Sequence, residues 1–301
     1  MVPLEPAAEG TPGSISQARR LTAPGVSSTT PRWSRDSQSI YFLSGRSGST
    51  QVWRLPLGGG EAQQVTQAPL DIGSFRLAPD GRALLVSMDV FTDCQNLACT
   101  RSRLDARAAQ KHSGELYDHL FMRHWDSWSN GTRAQLFLYA LDGAGVAASG
   151  PDRGEPLMVS RGLGGDVPSK PFGDETDYCF APDGHSIIIS VRIAGRSEPW
   201  STNFDLYRVR LGDGAGNALA VLGAPENLTA ANPAWDAGPA VSPDGRTLAY
   251  RAMRRPGFES DRFGIMLRDL ATGAMRERAR LERPGHRVGL LAGGQHPGLC
   301  A

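Results

Sequence analysis

Short apolar runs separated by turn residues recur along this chain, too closely spaced for long helices. Ile40–Ser44 is followed by the turn Gly45–Gly48, a second run Gln51–Leu55, the turn Gly58–Gly60 and a short run ending Gln64-Val-Thr66. Asp205–Leu211, a glycine-rich turn and Glu226–Thr229 repeat the arrangement, and Gly264–Leu270 with the turn Ala271-Thr-Gly273 begins it again. Runs of about four to eight residues, rich in branched and aromatic side chains and closed by Gly, Pro, Asn or Asp, predict strands.

A recurring phrase orders these strands. Ala78-Pro-Asp-Gly81, Ala181-Pro-Asp-Gly184 and Ser242-Pro-Asp-Gly245 each lead into an apolar run, and Ser34-Arg-Asp-Ser37 is a degenerate copy. Proline presets φ, aspartate bonds to nearby amides and glycine accepts positive φ, so the phrase predicts a tight hairpin turn. Four short strands per ~40–45 residues is the pattern of a propeller blade. The predicted fold class is all-β, an incomplete β-propeller of four to five four-stranded blades over residues 21–283. Residues 1–20 are expected to be a flexible segment, and 284–301 an irregular tail without blade pattern. Strand Ala83–Met88 should pair with Gln135–Leu141, which leaves a long insertion at about 90–133. Within it Arg101–His112 predicts a short helix, and His119–Trp128 is dense in aromatic and charged residues. Loops of this length in a compact domain are usually functional or disordered.

Composition narrows the function. The 301 residues include 36 Gly and 21 Pro, above average usage, yet 40 % are hydrophobic, which excludes wholesale disorder. Net charge is +1, so nothing draws the whole chain to nucleic acid or acidic membranes. No segment approaches the ~18 apolar residues of a membrane span. Residues 1–14 lack the charged start and apolar stretch of a signal peptide. The compartment stays open between periplasm and cytoplasm.

Four cysteines are present: Cys94, Cys99, Cys179 and Cys300. Cys94 and Cys99 are too far apart for a Cys-x-x-Cys site, and both a local disulfide and two unbridged thiols fit the spacing. No residue pattern calls for a metal or a cofactor. Neither a nucleophile elbow nor a phosphate loop is present. His119 and His124 lie near Asp118 and Asp126, an arrangement compatible with base chemistry, but with no nucleophile beside it the reading prefers polar groups tying the loop down. Trp125 and Trp128 are expected to pack beneath that loop. Asn130-Gly-Thr132 and Asn227-Leu-Thr229 read as turn chemistry in preference to glycosylation sites. Asp174 and Glu175 before the third blade, and Glu259 and Arg262 in the loop Arg255-Pro-Gly-Phe-Glu-Ser-Asp-Arg262, are the candidate substrate-binding residues, because acids in loops at a propeller end can hold a peptide amino terminus.

The Pro-Asp-Gly repeats resemble TolB-like, WD40-like propellers. Asp93-Cys-Gln-Asn-Leu-Ala-Cys99, Arg123-His-Trp-Asp-Ser-Trp128 with Gly131, Pro171-Phe-Gly173 and Arg255-Pro-Gly-Phe-Glu259 together resemble the amino-terminal propeller of prolyl oligopeptidase-family serine peptidases, in the bacterial dipeptidyl- and acylaminoacyl-peptidase branch. The resemblance covers about residues 20 to 280. It implies a propeller that covers the active site of a following α/β-hydrolase domain and restricts access to short peptide substrates. The catalytic triad would belong to that domain and not to this chain. It also implies seven or eight blades, so a truncation or frame change near residue 280 is expected. An open arc would expose two apolar blade faces and favour self-association. A stand-alone interaction module is the alternative reading.

Overall fold

The computed structural model describes residues 20–117, 120, 122–124, 126–143, 145–147, 155–213 and 219–278. The expectations for residues 1–19, for the tail 284–301 and for Trp125 and His119 fall outside these residues. Four antiparallel four-stranded sheets follow one another along the chain. Blade I comprises β1 (Thr29–Trp33), β2 (Ser39–Ser44), β3 (Gln51–Pro56) and β4 (Gln63–Gln64). Blade II comprises β5 (Ile72–Leu77), β6 (Ala83–Val90), β9 (Arg133–Ala140) and β10 (Leu157–Met158). Between β6 and β9 lie helix α1 (Leu97–Ala108) and a small hairpin, β7 (Arg123–His124) with β8 (Ser127–Trp128). Blade III is built from β11 (Tyr178–Phe180), β12 (Ser186–Val191), β13 (Asp205–Asp213) and β14 (Leu219–Asn227). Blade IV is built from β15 (Asp236–Val241), β16 (Thr247–Ala252), β17 (Gly264–Asp269) and β18 (Met275–Glu277). The four to five blades of the sequence reading are therefore four among the described residues.

The turn joining the first two strands is the same object in every blade. The main-chain N–H of Ser37, Gly81, Gly184 and Gly245 donates to the carbonyl three residues back, at 2.8–2.9 Å. The aspartates Asp36, Asp80, Asp183 and Asp244 each accept from the amide two residues on, at 2.9–3.0 Å. The last turn position has φ between +72° and +75° in the three glycine copies and +57° at Ser37. The degenerate copy thus keeps the geometry and places a serine where glycine is favoured.

The cores lie between blades. Leu84, Val86 and Met88 of β6 pack with Tyr41, Leu43 and Tyr139, while Leu85 on the opposite face packs with Ile187, Ile189 and Val209. Ile188 turns the other way, toward Leu248 and Tyr250. A strand with both faces buried reads as a nearly continuous apolar run, and β6 and β12 are apolar at six of eight and four of six positions. Hydroxyls brace the outer strands. Thr66 Oγ1 accepts from Val52 N and donates to Gln51 Oε1, and Ser160 does the same for Leu136 N and Gln135. In blade III the corresponding residues are Thr229, Leu206 N and Asp205.

Helix α1 begins four residues before the expected Arg101 and ends at Ala108, short of His112. Asn96 is its N-cap and accepts from Cys99 N at 2.8 Å, a signal that lay hidden inside the cysteine spacing. Cys94 and Cys99 are joined by a disulfide across this cap, with Cα atoms 5.6 Å apart.

Candidate functional site

The loops that leave β6, β12 and β16 and enter β9, β13 and β17 open at one end of the blades, and this end carries the insertion. A charged network fixes it. Arg133, at the start of β9, donates from Nη1 to Asp166 at 2.8 Å and forks onto both oxygens of Glu198 at 2.7 and 2.6 Å. Glu198 sits in the two-turn 3-10 segment Gly195–Trp200 that follows β12, and it also faces Arg192 at 3.8 Å. Lys170 joins Asp89 at 2.8 Å and Asp166 at 3.7 Å. Burial raises the Asp166 carboxyl, opposed chiefly by Lys170, and burial lowers the Arg192 guanidinium, opposed chiefly by Glu198. Three cations meet three acids, so the network ties loops together more than it offers a net charge to a ligand. Nearby, Gly173 closes the turn on Ser169, and a Cβ there would stand 2.3 Å from the Ser169 carbonyl oxygen, which accounts for glycine in Pro171-Phe-Gly173.

Apolar side chains crowd the same end. Leu116 is 94 % exposed, Phe172 74 %, Trp200 67 % and Trp128 62 %. Leu120, Met122, Ile193 and Phe258 are exposed in the same loops. Trp128 does not pack beneath the insertion, contrary to expectation. Its ring lies on the surface, 5.9 Å from Tyr117 and under the Arg123 guanidinium at 5.4 Å. The short hairpin β7–β8 turns it outward, where no core reaches it.

His124 is half-buried, and burial, then Arg192, pushes its ring toward the neutral form, while Glu259 and Glu198 pull the other way. The insertion and the blade IV loop are thus brought within electrostatic range of each other. Asp126 is exposed and receives the Ser127 hydroxyl at 3.4 Å. Glu259 and Arg262 are both exposed in the Met253–Phe263 loop. The loop is shaped by Asp261, whose carboxyl is held well below the usual range by the amides of Arg254 and Arg255, with the Arg255 side chain adding to them. Asn130 and Asn227 cap their own turns, accepting from Thr132 N and Thr229 N.

Asp174 and Glu175 lie elsewhere, at the innermost strands. There β1 touches β5, and the single turn Glu175–Asp177 touches both β5 and β15. Glu175 is paired with Arg32 of β1, and its carbonyl accepts from Arg76 Nε of β5 at 2.7 Å. Asp174 caps the turn, accepting from Thr176 N at 2.8 Å. Asp174 and Glu175 are thus held beside the innermost strands, and Glu259 and Arg262 sit in the loop between β16 and β17. Sequence reasoning missed Arg32, Arg76, Arg133 and Glu198, because an isolated arginine or glutamate in a turn-rich chain carries no local signal of a partner 65 to 143 residues away. No group of three or more metal-ligating side chains stands together among the described residues. A cleft of about 640 Å³ opens at the other end between the turns of blades I and II, where Arg35, Arg54 and Arg82 alternate with Asp36, Asp80 and Asp142.

No family model matches this chain. Dipeptidyl-peptidase 5 of Porphyromonas endodontalis is 30 % identical over 254 residues, 84 % of this chain and 33 % of that protein. Dipeptidyl-peptidase 5 of Porphyromonas gingivalis is 27 % identical over 259 residues, 86 % of this chain and 34 % of that protein. The chain thus spans about one third of the length of these relatives. Among solved structures, the acylaminoacyl peptidase of Pyrococcus horikoshii aligns with a TM-score of 0.46 at 15 % identity, over 89 % of this chain and 33 % of that one. Repeat phrase, blades and aligned sequence agree: this chain is built of propeller blades and is similar to about one third of the length of the dipeptidyl-peptidase 5 relatives.

Proposed function

We propose that this propeller gates and positions short peptides for a serine exopeptidase of the dipeptidyl- or acylaminoacyl-peptidase type, with the triad residing in an α/β-hydrolase domain and not in these blades. The observation that carries this reading is the crowding of exposed apolar residues, Trp200, Phe172, Phe258 and Trp128 among them, at the single end that bears the insertion. Monomer surfaces rarely expose large contiguous apolar patches unless they meet a partner. The charged network fixes the segments that carry Trp200 and Phe172, through Glu198 and Lys170, so that part of the surface is pre-ordered for docking. In this reading the docked domain faces the blade axis, where Glu175 with Arg32 and Arg76 meets peptides that enter, while Glu259 and Arg262 border the entrance.

Calorimetric titration of the chain with the α/β-hydrolase domain of a dipeptidyl-peptidase 5 relative tests the docking. Saturable binding is expected, weakened at least tenfold by Trp200→Asp combined with Phe258→Asp. Absence of binding, or binding indifferent to both substitutions, would count against the reading.

A further inference from the structure

Asp236 opens β15 and stands at the joint between blades III and IV. Its amide donates to Phe204 O at 2.8 Å, and its carbonyl accepts the Ser190 hydroxyl at 2.7 Å. The side chain is fully buried. Oδ1 accepts from Asn232 Nδ2 at 2.8 Å, and the same nitrogen reaches Met253 O at 3.1 Å. Oδ2 is buried with no hydrogen-bond partner among the described residues.

A second acid stands close by. Asp205, where blades I and II carry the neutral Gln51 and Gln135, approaches the Thr229 hydroxyl at 3.4 Å and accepts from Asn227 at 2.9 Å. The negative charge of Asp205 adds to burial in disfavouring the Asp236 anion. From β13 Asp236 is faced by Asp205, from β16 by Tyr250, from β12 by the non-titrating Ser190, and from the linker by Thr229 and Asn232. The acids of the turn Glu175–Asp177 are committed elsewhere, Glu175 to Arg32 and Asp177 to Ser169.

The joint also holds the Met253–Phe263 loop. Met253 N donates to Trp235 O, and Gly257 N donates to Thr202 Oγ1, both at 2.8 Å. Trp235 stacks on Phe204 at 4.7 Å and meets Phe263 edge-on at 5.8 Å. A buried anion with one unpartnered oxygen beside another carboxylate costs more than the neutral acid in the same place.

We propose that Asp236 is a proton-operated latch: as the neutral acid it keeps the Met253–Phe263 loop fastened to blade III, and on losing its proton it loosens that loop. This stands independently of the docking reading. Burial, with Asp205 adding to it, pushes the carboxyl up to about 7, against Asn232 and Thr229. The unfolded chain releases the same proton near ~3.9. The folded state therefore holds the proton more tightly, and this group's contribution is complete below about pH 4. It is lost as pH rises toward 7, at up to about tenfold in the unfolding constant per pH unit, and changes no further above that.

Carbon-13 NMR of labelled aspartate carboxyl groups reads the titration directly, and hydrogen exchange reads the loop. The Asp236 resonance, identified by its loss in Asp236→Asn, is expected to titrate near pH 7. Amides of residues 253–263, corrected for intrinsic exchange, are expected to exchange several-fold faster at pH 8 than at pH 5.5, and Asp236→Asn is expected to abolish that difference. Should Asp236→Asn fail to fold, Asp205→Asn is read instead and is expected to lower the Asp236 midpoint. A midpoint below pH 5, or loop exchange with the same pH dependence in wild type and Asp236→Asn, would overturn the proposal.

Discussion

Arg133 grips Glu198 with both prongs of its guanidinium, Nη1 to Oε1 at 2.7 Å and Nη2 to Oε2 at 2.6 Å, so blade II holds the loop between β12 and β13 of blade III. Removing the arginine leaves Glu198 and Asp166, both largely buried, with only the longer contacts to Arg192 and Lys170. Arg133→Ala is expected to cost about 3 kcal/mol. Arg133→Lys keeps a charge but loses the fork and is expected to cost roughly half of that. Urea denaturation of the three proteins checks the order.

The degenerate turn offers a gain. Ser37 sits at φ +57°, where its three counterparts are glycine. Ser37→Gly removes the left-handed strain of about 1–2 kcal/mol but adds freedom to the unfolded chain. A net stabilisation of about 0.5 kcal/mol is expected in urea denaturation, while Gly184→Ala, the reverse change in blade III, is expected to destabilise by about 1 kcal/mol.

The hydroxyl braces permit a cleaner test. Ser160→Ala leaves Leu136 N and the Gln135 amide oxygen buried without their partner, and a cost of about 2 kcal/mol is expected. Thr66→Ser keeps the oxygen and is expected to cost under about 1 kcal/mol, whereas Thr66→Val removes it and is expected to match Ser160→Ala. Thermal melts of the three variants separate the hydrogen bond from the methyl group.

The blades were legible because their information is local. Pro79-Asp80-Gly81 announces its own turn, and the apolar run after it announces the strand, without reference to the rest of the chain. The pairing of Ala83–Val90 with Arg133–Ala140 was also legible, since the blade pattern demanded a partner beyond the insertion. The site was less so. Glu175 stood out as an acid before a blade, but the Arg32 that neutralises it lies 143 residues away and leaves no mark in the local sequence. The outward turn of Trp128 was likewise invisible, because an aromatic in a long insertion reads as core until the course of that insertion is known.

The disulfide closes a small loop at the root of the insertion. Closing so short a loop is worth about 2 kcal/mol in the chain-entropy picture. Replacing Cys94 and Cys99 together by serine is expected to loosen the insertion locally. Limited proteolysis between Phe91 and Trp128 is expected to accelerate several-fold, with the melting temperature of the blades nearly unchanged.

The proposed division of labour, blades that position and a separate domain that reacts, is tested most directly on the chain alone. Incubation with a fluorophosphonate probe for activated serine, alongside dipeptidyl and acyl-peptide reporter substrates, reads both labelling and turnover. The expected result is no labelled serine and no hydrolysis above buffer, with His124→Ala and Asp126→Ala indistinguishable from wild type. A stoichiometrically labelled serine, or turnover lost in either variant, would contradict it.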